Sequence, residues 1–226
     1  MLKLFIANKN YSSWSLRPWV LMKMLGIAFE EQLLRFEADS WEKFRAVSPS
    51  GTVPCLHDGD LKIWDSMAIA EYLAERHDGV WPKDATARAF ARSAASEMHG
   101  GFTALRSLCT MNCGIRAKVR QETPQLRRNV DRIAELWAEG LGRFGGPFLA
   151  GNDFTAVDAF FAPVAFRIQT YGLSMPSPAA DYAARLLALP AMKEWYEAAL
   201  AETFREPGHE VELAAIAEII EDLRAS

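Results

Sequence analysis

Hydrophobic and polar positions follow two different rhythms along this chain. In the first third, short apolar runs alternate with helical spacing. LKLFIA (2–7) is a continuous apolar run of strand length. Between Ser15 and Leu25 the apolar residues Leu16, Trp19, Val20 and Met24 recur at helical intervals. Pro18 falls in the first turn of that helix, where a missing N–H costs little, and Gly26 is a stop signal. AFEEQLLRF (28–36) predicts a second strand, and 40–47 a short helix. In TVPCLHDGDLKIW (52–64), two short strands flank Asp58-Gly59, a hairpin turn signal. Ser66 to Arg76 predicts a helix. The order is βαβαββα, with the first two strands parallel because a helix joins them and the last two antiparallel.

After Trp81-Pro82 the rhythm is helical throughout. Amphipathic runs cover about 84–112 and 123–144, another starts near Phe154, and more follow at 178–188, 190–203 and 210–224. No strand is expected in this half. HDGVWPK (77–83) has the composition of a linker, so the chain divides into 1–77, a linker at 78–83, and an all-α domain over 84–226.

Composition narrows the function classes. Half the residues are apolar and 24% are charged, as in a globular protein, and net charge is −4. There is no basic stripe for nucleic acid, no apolar run long enough for a membrane span, and no leader pattern at Met1–Ala7. A cytoplasmic setting is expected. Three cysteines (Cys55, Cys109, Cys113) make neither a disulfide framework nor a metal set, and are expected as reduced, packed thiols.

Three short stretches carry chemistry. Val53-Pro54 stands before the hairpin, where a cis bond would bend the strand and bare the Val53 backbone to an extended peptide; an ordinary edge proline is the alternative. Asp65-Ser66 stands at a helix start, where a hydroxyl and free N–H groups accept a carboxylate and Asp65 accepts an ammonium. A plain serine cap would explain Ser66 but not Asp65. NKNYSSWSLRPW (8–19) aims hydroxyls at another helix start. Ser15 is the expected cap, which leaves Ser12 and Ser13 over. His57, His77, His99 and His209 form no triad pattern with them, so these serines suit hydrogen-bond donation to an anion better than nucleophilic attack. Thr155 and Asp158 have capping-box spacing and a structural role.

SSWSLR (12–17), FRAVSPSGTVPCLHDGDLKIWDSMAIAEYL (44–73) and FLAGNDFTAVDAFFAP (148–163) together resemble the cytosolic glutathione transferases over nearly the whole chain, closest in motif to the serine-type zeta class. Trp14 stands where the zeta motif has cysteine. The resemblance implies a thioredoxin-like first domain, a helical second domain, a two-fold homodimer, and no metal. Glutathione is the implied cosubstrate, with Ser12 holding its thiolate and Ser13 the nearest competitor. Val53 and Pro54 would meet its cysteinyl backbone, and Asp65 and Ser66 its γ-glutamyl end. A small electrophile would sit against the helical domain, with His99, Met111, Arg116 and Arg167 as pocket residues. The expected activity is thiolate attack on such electrophiles. The alternatives are a glutathione-dependent cis-trans isomerase of a maleyl dicarboxylate and a non-catalytic binding protein. The isomerase arginine aligns with Thr170, one turn beyond Arg167. The glycine-carboxylate contact aligns with Asp39, with Lys43 and Arg45 as nearby substitutes.

Overall fold

The computed structural model describes residues 1–37 and 40–225. Asp39, aligned with the glycine-carboxylate contact, lies outside the described residues. In the first domain, β1 (Leu2–Ile6), α1 (Ser13–Met24), β2 (Phe29–Leu33), α2 (Ser40–Val47), β3 (Cys55–Asp58), β4 (Leu61–Trp64) and α3 (Ser66–Ala74) follow in the predicted order. The sheet runs β2-β1-β3-β4. β1 and β2 are parallel with Leu2 opposite Phe29, and β1 and β3 antiparallel with Leu4 opposite Leu56. In the β3–β4 hairpin Asp58 faces Leu61, and Gly59 turns the chain at φ 59°. The Val53–Pro54 bond is cis and lies just before this ladder.

The second domain is built on α4 (Ala85–Gly100), α5 (Thr103–Leu108), α6 (Pro124–Phe144), α7 (Ala156–Tyr171), α8 (Ala179–Ala188), α9 (Pro190–Leu200) and α10 (Pro207–Ile216). α7 is its axis, buried along nearly all its length and packed on α1, α4 and α8. One apolar cluster therefore runs through both domains, from Leu4, Leu16 and Ile69 to Trp137, Phe161 and Trp195. The start of α7 is closed by Asp158, fully buried, whose carboxylate accepts from Thr155 N (2.9 Å), Leu149 N (3.0 Å) and the Tyr182 hydroxyl (2.6 Å).

Two expectations fail in this half. The run 84–112 is not one helix. The chain breaks at Gly101 and at Phe102, which has φ 58°, and the backbone passes so close to the Glu97 carbonyl oxygen, 2.7 Å from where a Cβ at position 101 would stand, that glycine is needed there. The run 210–224 is not one helix either. α10 stops at Ile216, and β6 (Ala217–Asp222) pairs antiparallel with β5 (Ile115–Val119). Ile115 and Ala117 face inward and Arg116 and Lys118 less so, a period-two signal hidden inside a helical-looking region. β6 is a case of pairing overriding local propensity.

Candidate functional site

A cavity of about 540 Å³ opens between the two domains. Ser12, Ser13, Val53, Pro54, Asp65 and Ser66 all line it, so the three motifs converge although 40 to 54 positions separate the first from the others. The loop before α1 is held by the second domain. Glu202 accepts from Lys9 N (2.7 Å) and Asn10 N (3.2 Å), and Asn10 Oδ1 accepts from Gly114 N (2.9 Å).

The hydroxyls of this loop have distinct partners. Ser15, expected as the cap of α1, instead sits fully buried inside the first turn, where its Oγ accepts from Ala7 N (3.1 Å). Ser12 occupies the cap position, and its hydroxyl donates to Ser15 Oγ at 2.7 Å rather than capping the helix. Ser13 Oγ accepts from Arg167 Nη2 at 3.3 Å, which leaves its own proton for a ligand. Ser13 N–H is taken by the Tyr11 carbonyl, so the free amides of the first turn begin at Trp14.

At the second helix start, Asp65 rather than Ser66 is the cap. Asp65 adopts φ 74° and accepts from Met67 N at 2.7 Å, while its other oxygen lies 3.3 Å from His99 Nε2. A non-glycine residue at positive φ is held there by its surroundings, a common mark of functional positions. Ser66 is buried beneath it, with Arg17 Nη1 at 3.5 Å from its Oγ.

Positive charge gathers at the α1 end. Arg106 and Arg167 line the cavity, and buried Arg17 stands behind them. The Trp14 ring is a plate between Arg17 at 4.1 Å and Arg106 at 4.5 Å. Arg167 donates to the carbonyls of Cys109 (2.8 Å) and Pro163 (3.4 Å), and Arg106 to that of His99 (2.9 Å). None of these is a carboxylate. Burial, then the neighbouring Arg106, pushes the Arg167 guanidinium down to about 10; burial and the charges of Arg106 and Arg167 push Arg17 well below its ordinary value. Such a field favours an anion in the cavity.

Of the four residues expected in the pocket, Met111 and Arg167 line it. His99 lies behind, touching Asp65 and edge-on to Trp14 at 5.2 Å. Arg116 does not line it: on β5 it turns to the Ile115 carbonyl (2.8 Å) and the Tyr196 hydroxyl (3.2 Å). Thr170 is also turned away, onto the Asn112 carbonyl (2.8 Å), so Arg167 is the arginine of α7 that reaches the cavity. Of the substitutes for Asp39, Arg45 folds onto the Pro49 carbonyl and Lys43 pairs with Glu37, neither at the cavity wall. Sequence reasoning missed Tyr11, Trp14, Phe36, Arg106 and His209 as lining residues. Only Trp14 had a local signal, as the odd residue in a serine-rich motif.

A sheet domain and a helical domain enclosing two open helix starts define a thioredoxin-like two-domain protein with an anion-accepting cleft. The chain belongs to the glutathione S-transferase family: the family's N-terminal domain profile matches residues 11–76 and its C-terminal domain profile residues 117–198. Similar proteins include a probable maleylacetoacetate isomerase of Vibrio cholerae, 25% identical over 86% of this chain and 95% of that one. A stringent starvation protein A homolog of Pasteurella multocida is 27% identical over 68% of this chain and 69% of that one. Among solved structures, a glutathione transferase homolog from Burkholderia with bound glutathione superposes with TM-score 0.66 over 88% of this chain and 97% of that one, at 21% identity, a likeness of fold.

Proposed function

We propose that this protein is a glutathione transferase that activates the glutathione thiol for attack on small electrophiles. Its γ-glutamyl head binds Asp65 and Ser66, its cysteinyl backbone runs along Val53 and Pro54, and its sulfur rests at Ser13 and Ser12. The observation that carries this reading is the opening of two helix starts, α1 and α3, into one cavity with complementary side chains at each.

A free thiol ionises near pH 8.5, so only a few per cent is thiolate at neutral pH. Lowering that by about 2 pH units takes roughly 2.7 kcal/mol of preferential stabilisation of the anion. The Ser13 hydroxyl, the α1 amides and the two arginines supply it together. The thiol proton leaves to solvent, Ser13 donates to the sulfur anion, and the sulfur attacks the electrophile held against Trp14, Thr110 and Met111. The leaving group departs with its electron pair. Ser13 is favoured over Ser12 because Arg167 occupies its acceptor side and Ser12 already donates to Ser15. A panel of electrophiles with glutathione tests the reading. No turnover with tight glutathione binding would instead point to a binding protein.

A second reading, cis-trans isomerisation of a maleyl dicarboxylate, is favoured by Arg106 and Arg167 standing at the thiol end with no carboxylate partner among the described residues. Turnover of such a diacid with no consumption of glutathione would establish it. A cytoplasmic setting and a two-fold dimer belong to the same proposal, and sedimentation tests the dimer.

A further inference from the structure

We infer that His209, on α10, binds the glycine carboxylate of glutathione. This rests on the glutathione reading above. With the head at Asp65 and Ser66 and the middle at Val53, the third residue of the tripeptide continues past Thr52 to the other end of the cavity. Tyr11, Phe36, Phe44 and His209 wall that end. The His209 ring lies 5.0 Å from the ring of Tyr11 and 5.3 Å from that of Phe36. Arg106 and Arg167 stand at the Ser13–Trp14 end and serve the sulfur.

The imidazole is aimed by its own helix. Glu206 Oε2 lies 2.6 Å from His209 Nδ1 and also accepts the His209 backbone N–H at 2.6 Å. Nε2 is then the nitrogen left for a ligand, and in the protonated ring it donates to a carboxylate in a charge-assisted bond. α10 is fastened in place by Arg224, which reaches Glu210 at 2.6 Å and Asp222 at 2.6 Å, while Glu210 accepts the Tyr11 hydroxyl at 2.8 Å. Glu210 is thereby paired, and it is not among the cavity's described lining residues. Glu212 also lines the cavity but is exposed, so water screens its repulsion toward a bound carboxylate. α10 lies beyond residue 198, where the second family match ends. This contact is therefore supplied by a part of the chain outside both matched family domains.

The test is calorimetric binding of glutathione, its glycyl monoethyl ester and γ-glutamylcysteine to the wild type, His209→Ala and His209→Lys. The wild type should prefer glutathione over the ester by roughly tenfold, the size of one charge-assisted bond. In His209→Ala that preference should fall to near unity, with γ-glutamylcysteine binding unchanged, which also reports an intact cavity. His209→Lys should restore part of it. An equal preference in wild type and His209→Ala would overturn the assignment while leaving the glutathione reading in place. A wild type that binds none of the three thiols would overturn both.

Discussion

The starts of α1 and α3 face the same cavity with opposite electrostatic equipment. At α1 the hydroxyls of Ser12 and Ser13 stand among guanidiniums whose direct partners are carbonyls, an aromatic ring and a hydroxyl. At α3 the cap itself is a carboxylate, Asp65, over the buried hydroxyl of Ser66. Both helices contribute the same partial positive charge. In the proposed reading the side chains decide the guest: a full anion at α1, and an ammonium-carboxylate pair at α3. The start of α7 completes the comparison, since there Asp158 closes the helix inside the core and no ligand has access.

The largest expected effect separates that closed start from the open ones. Asp158→Ala leaves two backbone amides and the Tyr182 hydroxyl buried without their acceptor, and should cost about 3–5 kcal/mol in denaturant unfolding. Next is Ser13→Ala, which should lower kcat/KM by about 100-fold and raise the pH midpoint of the bound-thiolate absorbance by about 1 pH unit, since the α1 amides and the two arginines remain. Ser12→Ala should change kcat/KM by only about fivefold, because its hydroxyl serves Ser15. The reverse ranking would break the assignment between the two serines.

At the other helix start, Asp65→Asn should weaken glutathione binding by roughly tenfold while leaving the rate at saturation within about twofold. Asparagine also caps helices and tolerates positive φ, so thermal stability should hold and isolate the lost charge. An equal loss of kcat would place Asp65 in the chemical step instead. The smallest effect concerns pH. Burial, with Arg17 and Arg106 nearby, holds His99 below the usual 6.5, against the pull of Asp65. The unfolded chain then binds the proton more readily, so His99 favours the fold above that pH and loses this contribution as acid protonates it. His99→Gln should flatten the acid side of the stability profile, and an unchanged profile would remove His99 from it.

Much of this was legible in the chain alone. Strand and helix order in the first domain follows from apolar period and turn residues within short windows. Val53-Pro54 and Asp65-Ser66 were readable because a bend before a hairpin and a polar pair at a helix start are local events. Their meeting with Ser12 and Ser13 was legible only through family resemblance. Arg106 and His209 gave no local sign, since an arginine on a short helix or a histidine near a chain end is ordinary anywhere on a surface. Arg116 misled: it was expected at the pocket because the second half read as helical, and β5 turned it elsewhere.

The amino-acid order determined by itself the elements of the first domain, the capping box of α7 and the polar motifs at the bend before β3 and the start of α3, because propensity, turn chemistry and capping act over a few residues. The tertiary structure alone decided that β6 would be a strand against β5, and that Arg167 would lie behind Ser13, 154 positions away. It alone placed α10 over the cavity. These depend on which distant surfaces bury one another, and a buried charge or an edge strand takes its role from the partner it meets.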